Sequence, residues 1–194
     1  MQNKTMTLIG YHGTHVKQVS DIISNGFKAE IREDHWLGQG LYFYDNFELA
    51  KWWAETKFKH DYNNVAAVIY VEIDALPEQI LNLDSVVGMD YFFTELKKLL
   101  SSLNISLKFD LNKRYENFCW AIDLLKDHLG IGVVIRSFLK KRPTYGKHDV
   151  SEFEKHFFPL PPYFMYTETQ LCVTDNNYIR HKECCFPKPK TRWM

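Results

Sequence analysis

The order of the apolar patterns along the chain constrains its fold most strongly. Short runs rich in β-branched and aromatic residues have the length and composition of strands. They occupy 6–12, 41–44, 66–73, 132–139 and 170–175. Apolar residues at helical spacing fill the middle of the chain, over 91–100 and 116–129. Short strands near both ends with helices between them predict a mixed, mainly antiparallel α+β fold rather than a doubly wound parallel sheet.

The first two predicted strands are each followed by a helix-start signal. Thr14 can cap a helix over 15–25, which Gly26 would end. Asp45 or Asn46 can cap the next helix in the same way. The beginning of the chain therefore predicts two strand–turn–helix units in succession.

The length of 194 residues suits one domain with one core, so we predict a single domain over 1–194. Within it we expect a helical insertion over about 86–130. Prolines and a glycine oppose regular structure between 140 and 167, and loops of that length are usually functional. The basic residues of 180–194 are expected to form a solvated, frayed tail.

Charge and cysteine usage exclude several classes of protein. Lys plus Arg equals Asp plus Glu at 24 each, so no overall field attracts nucleic acid or an acidic membrane. The four cysteines include no CxxC pair, and no signal-peptide pattern precedes them. No apolar run approaches the roughly 18 residues that span a bilayer. These features predict a cytoplasmic protein with free thiols, no membrane partner and no metal.

Three short motifs lie where chemistry could occur. Tyr11-His12-Gly13-Thr14 ends the first strand, Gly38-Gln39-Gly40-Leu41-Tyr42-Phe43 enters the second, and Glu168-Thr169-Gln170 enters the last. None of them is a phosphate-cradling Walker loop or a GxGxxG motif, so nucleotide binding by those routes is not predicted. Their glycines instead let the backbone approach a ligand closely.

In this order the motifs resemble the ADP-ribosyltransferase superfamily. The resemblance is to the branch related to poly(ADP-ribose) polymerases and diphtheria-type toxins, which has a triad of His, Tyr and Glu, Asp or Gln. It covers residues 8–54 and 168–179. It implies split, mainly antiparallel β-sheets around an NAD cleft, with the helical insertion in the middle of the chain and a target-recognition loop over about 140–167.

The resemblance also implies roles for individual residues. His12 would bind the adenosine ribose, the backbone of Gly13 the nicotinamide amide, and Tyr42 would stack on nicotinamide. Gln170 stands where many members have the catalytic Glu. The cofactor-binding residues implied are His12, Gly13, Thr14, Gly40, Leu41, Tyr42, Tyr44 and Gln170.

Gln170 raises a question of charge, because departure of nicotinamide leaves a cationic ribose that a glutamine cannot neutralise. A unit charge about 4 Å away is worth roughly 4 kcal/mol at an effective dielectric of 20. Glu168 lies two residues earlier on the same predicted strand and shares its face. We therefore expect four catalytic residues, with Gln170 on the nicotinamide ribose and Glu168 serving the acceptor as general base or stabilising the cation. These are His12, Tyr42, Glu168 and Gln170.

The function implied by the resemblance is mono-ADP-ribosyl transfer. The chain would cleave the nicotinamide–ribose bond of NAD⁺, its co-substrate, and transfer ADP-ribose to a protein or nucleic acid. The setting that the resemblance suggests is a toxin of a toxin–antitoxin or phage-defence system, with an antitoxin partner. Two alternatives stay open: an inactive NAD- or ADP-ribose-binding module, which Gln170 permits, and an RNA 2′-phosphotransferase-like enzyme, against which Tyr42 argues.

The other aromatic residues near the motifs are expected to be structural. Trp52 and Trp53 follow the second strand at positions that suit packing of a helix. His15 and His35 are expected to be surface or loop residues, since no HxxxH or HExxH spacing suggests zinc.

Overall fold

The computed structural model of the protein describes residues 4–31, 35–61, 65–104, 114–141 and 165–187. The strands are β1 (Met6–His15), β2 (Leu41–Tyr44), β3 (Ala66–Ala75), β4 (Ile80–Asn82), β5 (Val133–Lys141), β6 (Met165–Val173) and β7 (Ile179–Phe186). The helices are α1 (Val19–Asn25), α2 (Phe47–Lys57), α3 (Val86–Ser102) and α4 (Arg114–Leu129). None of the described helices is long and apolar enough to cross a membrane.

The strands form one seven-stranded mixed sheet in the order β4-β5-β6-β2-β1-β3-β7. β4 and β5 are parallel. The other neighbouring pairs are antiparallel. The predicted α+β class with a mainly antiparallel sheet is therefore confirmed.

The sheet is weakest at the junction between β1 and β2. β1 pairs with β3 along its whole length, from Met6↔Ala75 to His15↔Ala66. Its register with β2, by contrast, consists of the pair Tyr11↔Tyr44 among the described residues. The pairing between β1 and β2, which joins β4-β5-β6-β2 to β1-β3-β7, is therefore the shortest in the described sheet.

Both faces of the sheet bury apolar side chains. One cluster lies under α3 and α4 and contains Phe92, Ile122 and Val134. The other contains Phe27, Phe43 and residues of β3. Fully burying each such side chain contributes about 1.5–3 kcal/mol. The two clusters fix the strands whose ends carry the candidate site.

The prediction that Thr14 caps a helix over 15–25 is wrong. β1 continues to His15 because its pairing with β3 continues to His15↔Ala66. A 3₁₀ turn over Val16–Gln18 follows, and α1 begins at Val19. The buried Thr14 donates its hydroxyl to Gln18 Oε1 at 2.8 Å instead. Pairing between strands has overridden the local capping signal.

The second helix begins after one of the two capping residues that the sequence predicts. Asn46, rather than Asp45, caps α2, because its Oδ1 accepts from the amides of Glu48 and Leu49 at 2.8 and 3.2 Å. α3 and α4 lie within the 86–130 segment that was expected to be helical. α3 starts earlier than the predicted 91, because Ser85 caps it by accepting from the Gly88 amide.

The expectation of a frayed basic tail is wrong for its first part. Residues 179–186 form β7, which pairs with β3. Arg180 also pairs with Asp74, at 3.2 Å from Nε to Oδ2, and with Glu72. Residues 188–194 lie outside the described residues, as do 142–164 of the expected loop, whose two ends belong to β5 and β6.

Candidate functional site

A cavity of about 1020 Å³ opens where β1 and β2 part. Its wall is formed by the ends of these strands, by β6, and by residues of α1 and α2. All four residues predicted to be catalytic line it. The other predicted site residues that line it are Gly13, Thr14, Gly40, Leu41 and Tyr44. Three separated segments of the chain thus meet at one cavity, although Leu41 is largely buried in its wall.

His12 links the two parted strands. Its Nδ1 lies 2.9 Å from the carbonyl oxygen of Tyr42. A carbonyl can only accept, so Nδ1 carries the proton and Nε2 is left as the acceptor of the neutral ring. The ring packs edge-on against Phe27 and Phe43, with centroids 5.1 and 5.8 Å apart. Burial holds the pKa of His12 below its usual 6.5, so the imidazole is neutral near pH 7.

This lowered pKa makes a prediction about stability. As the pH falls below about 6.5, the unfolded chain binds a proton at His12 more readily than the folded chain does. His12 therefore contributes stability above that pH and loses it in acid. We expect the free energy of unfolding in urea, measured between about pH 8 and pH 5, to fall less steeply in His12→Gln than in the wild type. Equal slopes for the two proteins would contradict a lowered pKa of His12 in the folded protein.

Tyr42 is held by the loop that precedes its own strand. Its hydroxyl accepts from the Leu37 amide and donates to the Gly38 carbonyl, each at 2.8 Å. Burial raises the pKa of the phenol, so Tyr42 stays neutral and cannot act as a base at ordinary pH. The ring of His35 lies against it, with centroids 4.7 Å apart. His35 is a loop residue, as predicted, but its ring also lines the cavity, which was not predicted.

Glu168 and Gln170 form a pair on one face of β6. Gln170 lies opposite Tyr44 of β2, which brings it beside the second motif. Its side-chain amide donates a short hydrogen bond to Glu168 Oε1. Glu168 is only 5% exposed, and a buried carboxylate is costly without such a donor. The wall thus combines a buried negative charge with an amide oriented by that charge.

An aromatic part of the cavity wall was not predicted. Trp52 and Trp53 were expected to pack structurally, but both line the cavity. Lys57 extends over Trp53, with Nζ 4.5 Å from the ring centroid. Trp53 and Lys57 are four residues apart and so share a face of α2. That spacing is visible in the sequence and was the signal that could have identified this wall.

The cavity also carries charges of both signs. Lys28 and Asp21 form an exposed pair at 2.8 Å. Lys57 supplies a second positive charge and Glu30 another negative one. The cavity therefore offers cations, aromatic faces and a buried carboxylate to one ligand.

Comparison with known proteins adds a distant relative. No family model matches the chain. An uncharacterized protein of Methanocaldococcus jannaschii is 28% identical over 159 aligned residues, and the alignment covers 80% of this chain and 66% of that protein. The chain thus spans just under two thirds of that relative's length.

Proposed function

We propose that this chain is an ADP-ribosyltransferase that binds NAD⁺ in the cavity and transfers ADP-ribose to a macromolecular acceptor. The observation that carries the proposal is the meeting of His12, Tyr42 and the Glu168–Gln170 pair on one cavity wall. His12 and Tyr42 are 30 positions apart in sequence, and Tyr42 and Glu168 are 126 positions apart. Their types and order suit one bent dinucleotide.

The path of the strands supports an ADP-ribosyltransferase-like fold. Among the described residues the register of β1 with β2 is limited to Tyr11↔Tyr44, which suits sheets that split around a cleft. His12 stands on one side of the split and Tyr42 on the other. β6 then places Gln170 directly opposite Tyr44.

The chemistry of the wall suits the parts of NAD⁺. The rings of Trp52, Trp53 and Tyr42 offer apolar faces to nicotinamide or adenine. Lys28 and Lys57 can attract the pyrophosphate. The volume of about 1020 Å³ lies just above the usual range for small-molecule sites, so a whole dinucleotide can fit.

The proposed reaction breaks the bond between C1′ of the ribose and the nicotinamide nitrogen. Nicotinamide leaves with the bonding electron pair, and C1′ becomes cationic. The carboxylate of Glu168 stabilises this charge, while Gln170 binds a ribose hydroxyl. An oxygen or nitrogen of the acceptor then bonds to C1′, and its proton passes to Glu168 or to water.

The test uses NAD⁺ labelled in its adenylate part, incubated with the protein and with total protein, RNA or DNA of a bacterial host. We expect free nicotinamide together with label on one class of macromolecule. His12→Ala should abolish both, whereas His181→Ala, an exposed histidine on β7, should leave both unchanged. Saturable binding without nicotinamide release would instead identify a binding module, and absence of binding would refute the proposal.

The toxin setting is a separate part of the proposal with its own test. Induced expression of an active transferase should arrest bacterial growth. The same expression of Glu168→Ala should not. Equal growth arrest by both proteins would show that toxicity does not come from this site.

A further inference from the structure

α4 carries an ion pair between a buried lysine and a partly exposed aspartate, beneath the loop that enters β2. Lys126 is 5% exposed, and its Nζ lies 2.9 Å from Asp123 Oδ1. Lysine is almost never buried unless it is paired, because a buried charge is costly. Neither residue lines the cavity.

Both charges bind the backbone of one loop residue, Gln39. The Gln39 amide donates to Asp123 Oδ1 at 2.7 Å. Lys126 Nζ donates a short hydrogen bond to the Gln39 carbonyl. Hydrogen bonds with one ionised partner are about twice as strong as neutral ones, so this pair fixes the Gln39 backbone firmly.

The same loop holds the phenol of Tyr42. The Leu37 amide and the Gly38 carbonyl bond the hydroxyl, and Gly38 is joined directly to Gln39. Gly38 has a φ of +79°, and a Cβ there would lie 2.3 Å from Asp123 Oδ1. The loop is therefore pressed against Asp123 on one side and bonded to Tyr42 on the other.

We propose that Asp123 and Lys126 are positioning residues for Tyr42. They hold the backbone of residues 37–39 in the one arrangement that bonds the phenol, and so they set the angle at which its ring meets the cavity. For its effect on NAD⁺ this inference rests on the proposed function. For its effect on Tyr42 it rests on the contacts alone.

The test observes Tyr42 directly. The protein is produced with 3-fluorotyrosine, and the ¹⁹F resonance of Tyr42 is assigned by its loss in Tyr42→Phe. Lys126→Met keeps the length of the side chain but removes the donor to Gln39, and it should shift or broaden that resonance while the other tyrosine resonances stay in place. Asp123→Asn, which keeps an acceptor for the Gln39 amide, should shift it less.

The matched control is Lys98→Met. It breaks a pair of the same spacing on α3, Lys98 with Glu95 at 2.7 Å, in which the lysine is exposed rather than buried. It should leave the Tyr42 resonance where it is in the wild type. If Lys126→Met does not fold, the Tyr42 resonance in Asp123→Asn tests the inference. An unmoved Tyr42 resonance in the folded variants would overturn the inference.

Titration of NAD⁺ into the same variants separates the two proposals. Lys126→Met should raise the Kd about fivefold to tenfold, as expected from losing one or two hydrogen bonds that order the site. If the wild type binds no NAD⁺, the proposed function fails, but the ¹⁹F shift still tests the positioning role. If the wild type binds NAD⁺ and Lys126→Met moves neither the resonance nor the Kd, only the positioning role fails.

Discussion

Replacing Glu168 with glutamine is expected to slow ADP-ribose transfer about a thousandfold. The affinity for NAD⁺ should stay within about threefold, because in bound NAD⁺ the positive charge lies on the nicotinamide ring and moves onto the ribose only as the bond breaks. Glutamine has the same shape and can still accept from Gln170, so the change removes the charge alone. Single-turnover rates of nicotinamide release, with Kd measured separately, provide the measurement.

The control for Glu168→Gln is Glu183→Gln, which removes an exposed carboxylate on β7 and should not change the rate. Alanine variants test the division of labour in the pair. Gln170→Ala should weaken binding of the nicotinamide ribose, and Glu168→Ala should slow the chemical step. If Glu168→Ala left NAD⁺ cleavage and transfer intact while Gln170→Ala abolished both, the roles assigned here would be wrong.

Replacing Gly13 with alanine is expected to lower the free energy of unfolding by about 3 kcal/mol, the upper part of the range for overpacked sites. The Cβ of an alanine at this position would lie 2.2 Å from the carbonyl oxygen of Ala50 and 3.2 Å from Ala54 Cβ. The first of these contacts is with the backbone of α2, which cannot turn aside as a side chain can. For a chain of this size, Tm should fall by roughly 6–12 °C.

Gly130→Ala is the matched control for Gly13→Ala. Gly130 has a φ of +67°, but no atom lies within 4 Å of an added Cβ. It should therefore lose only about 1–2 kcal/mol through backbone strain. Equal losses in the two variants would show that β1 and α2 are not in close contact at Gly13.

The sequence was informative where a local pattern decides the structure. The alternation and composition of β1, β2 and β3 predict strands whatever they pair with. The resemblance carried by the short motifs around His12 and Tyr42 implied residues of one site, and both residues line the cavity. The pairing of Glu168 and Gln170 followed from the period of two along a strand.

The sequence was misleading where a distant part of the chain decides the structure. β7 is half exposed and rich in charged residues. It forms a strand because its backbone pairs with β3. Trp53 and His35 line the cavity because of how α2 and the loop before β2 pack. The contact of Lys126 with Gln39 joins residues 87 positions apart, and no local pattern predicts such a contact.

Tryptophan fluorescence measured during a titration with NAD⁺ tests the central claim most directly, since Trp36, Trp52 and Trp53 all line the cavity. The account predicts a saturable change with one site and a Kd below about 1 mM, within the usual range for enzyme substrates. The change should be lost in His12→Ala and kept in His181→Ala. A fluorescence signal that does not respond to NAD⁺, or one that responds equally in both variants, would contradict it.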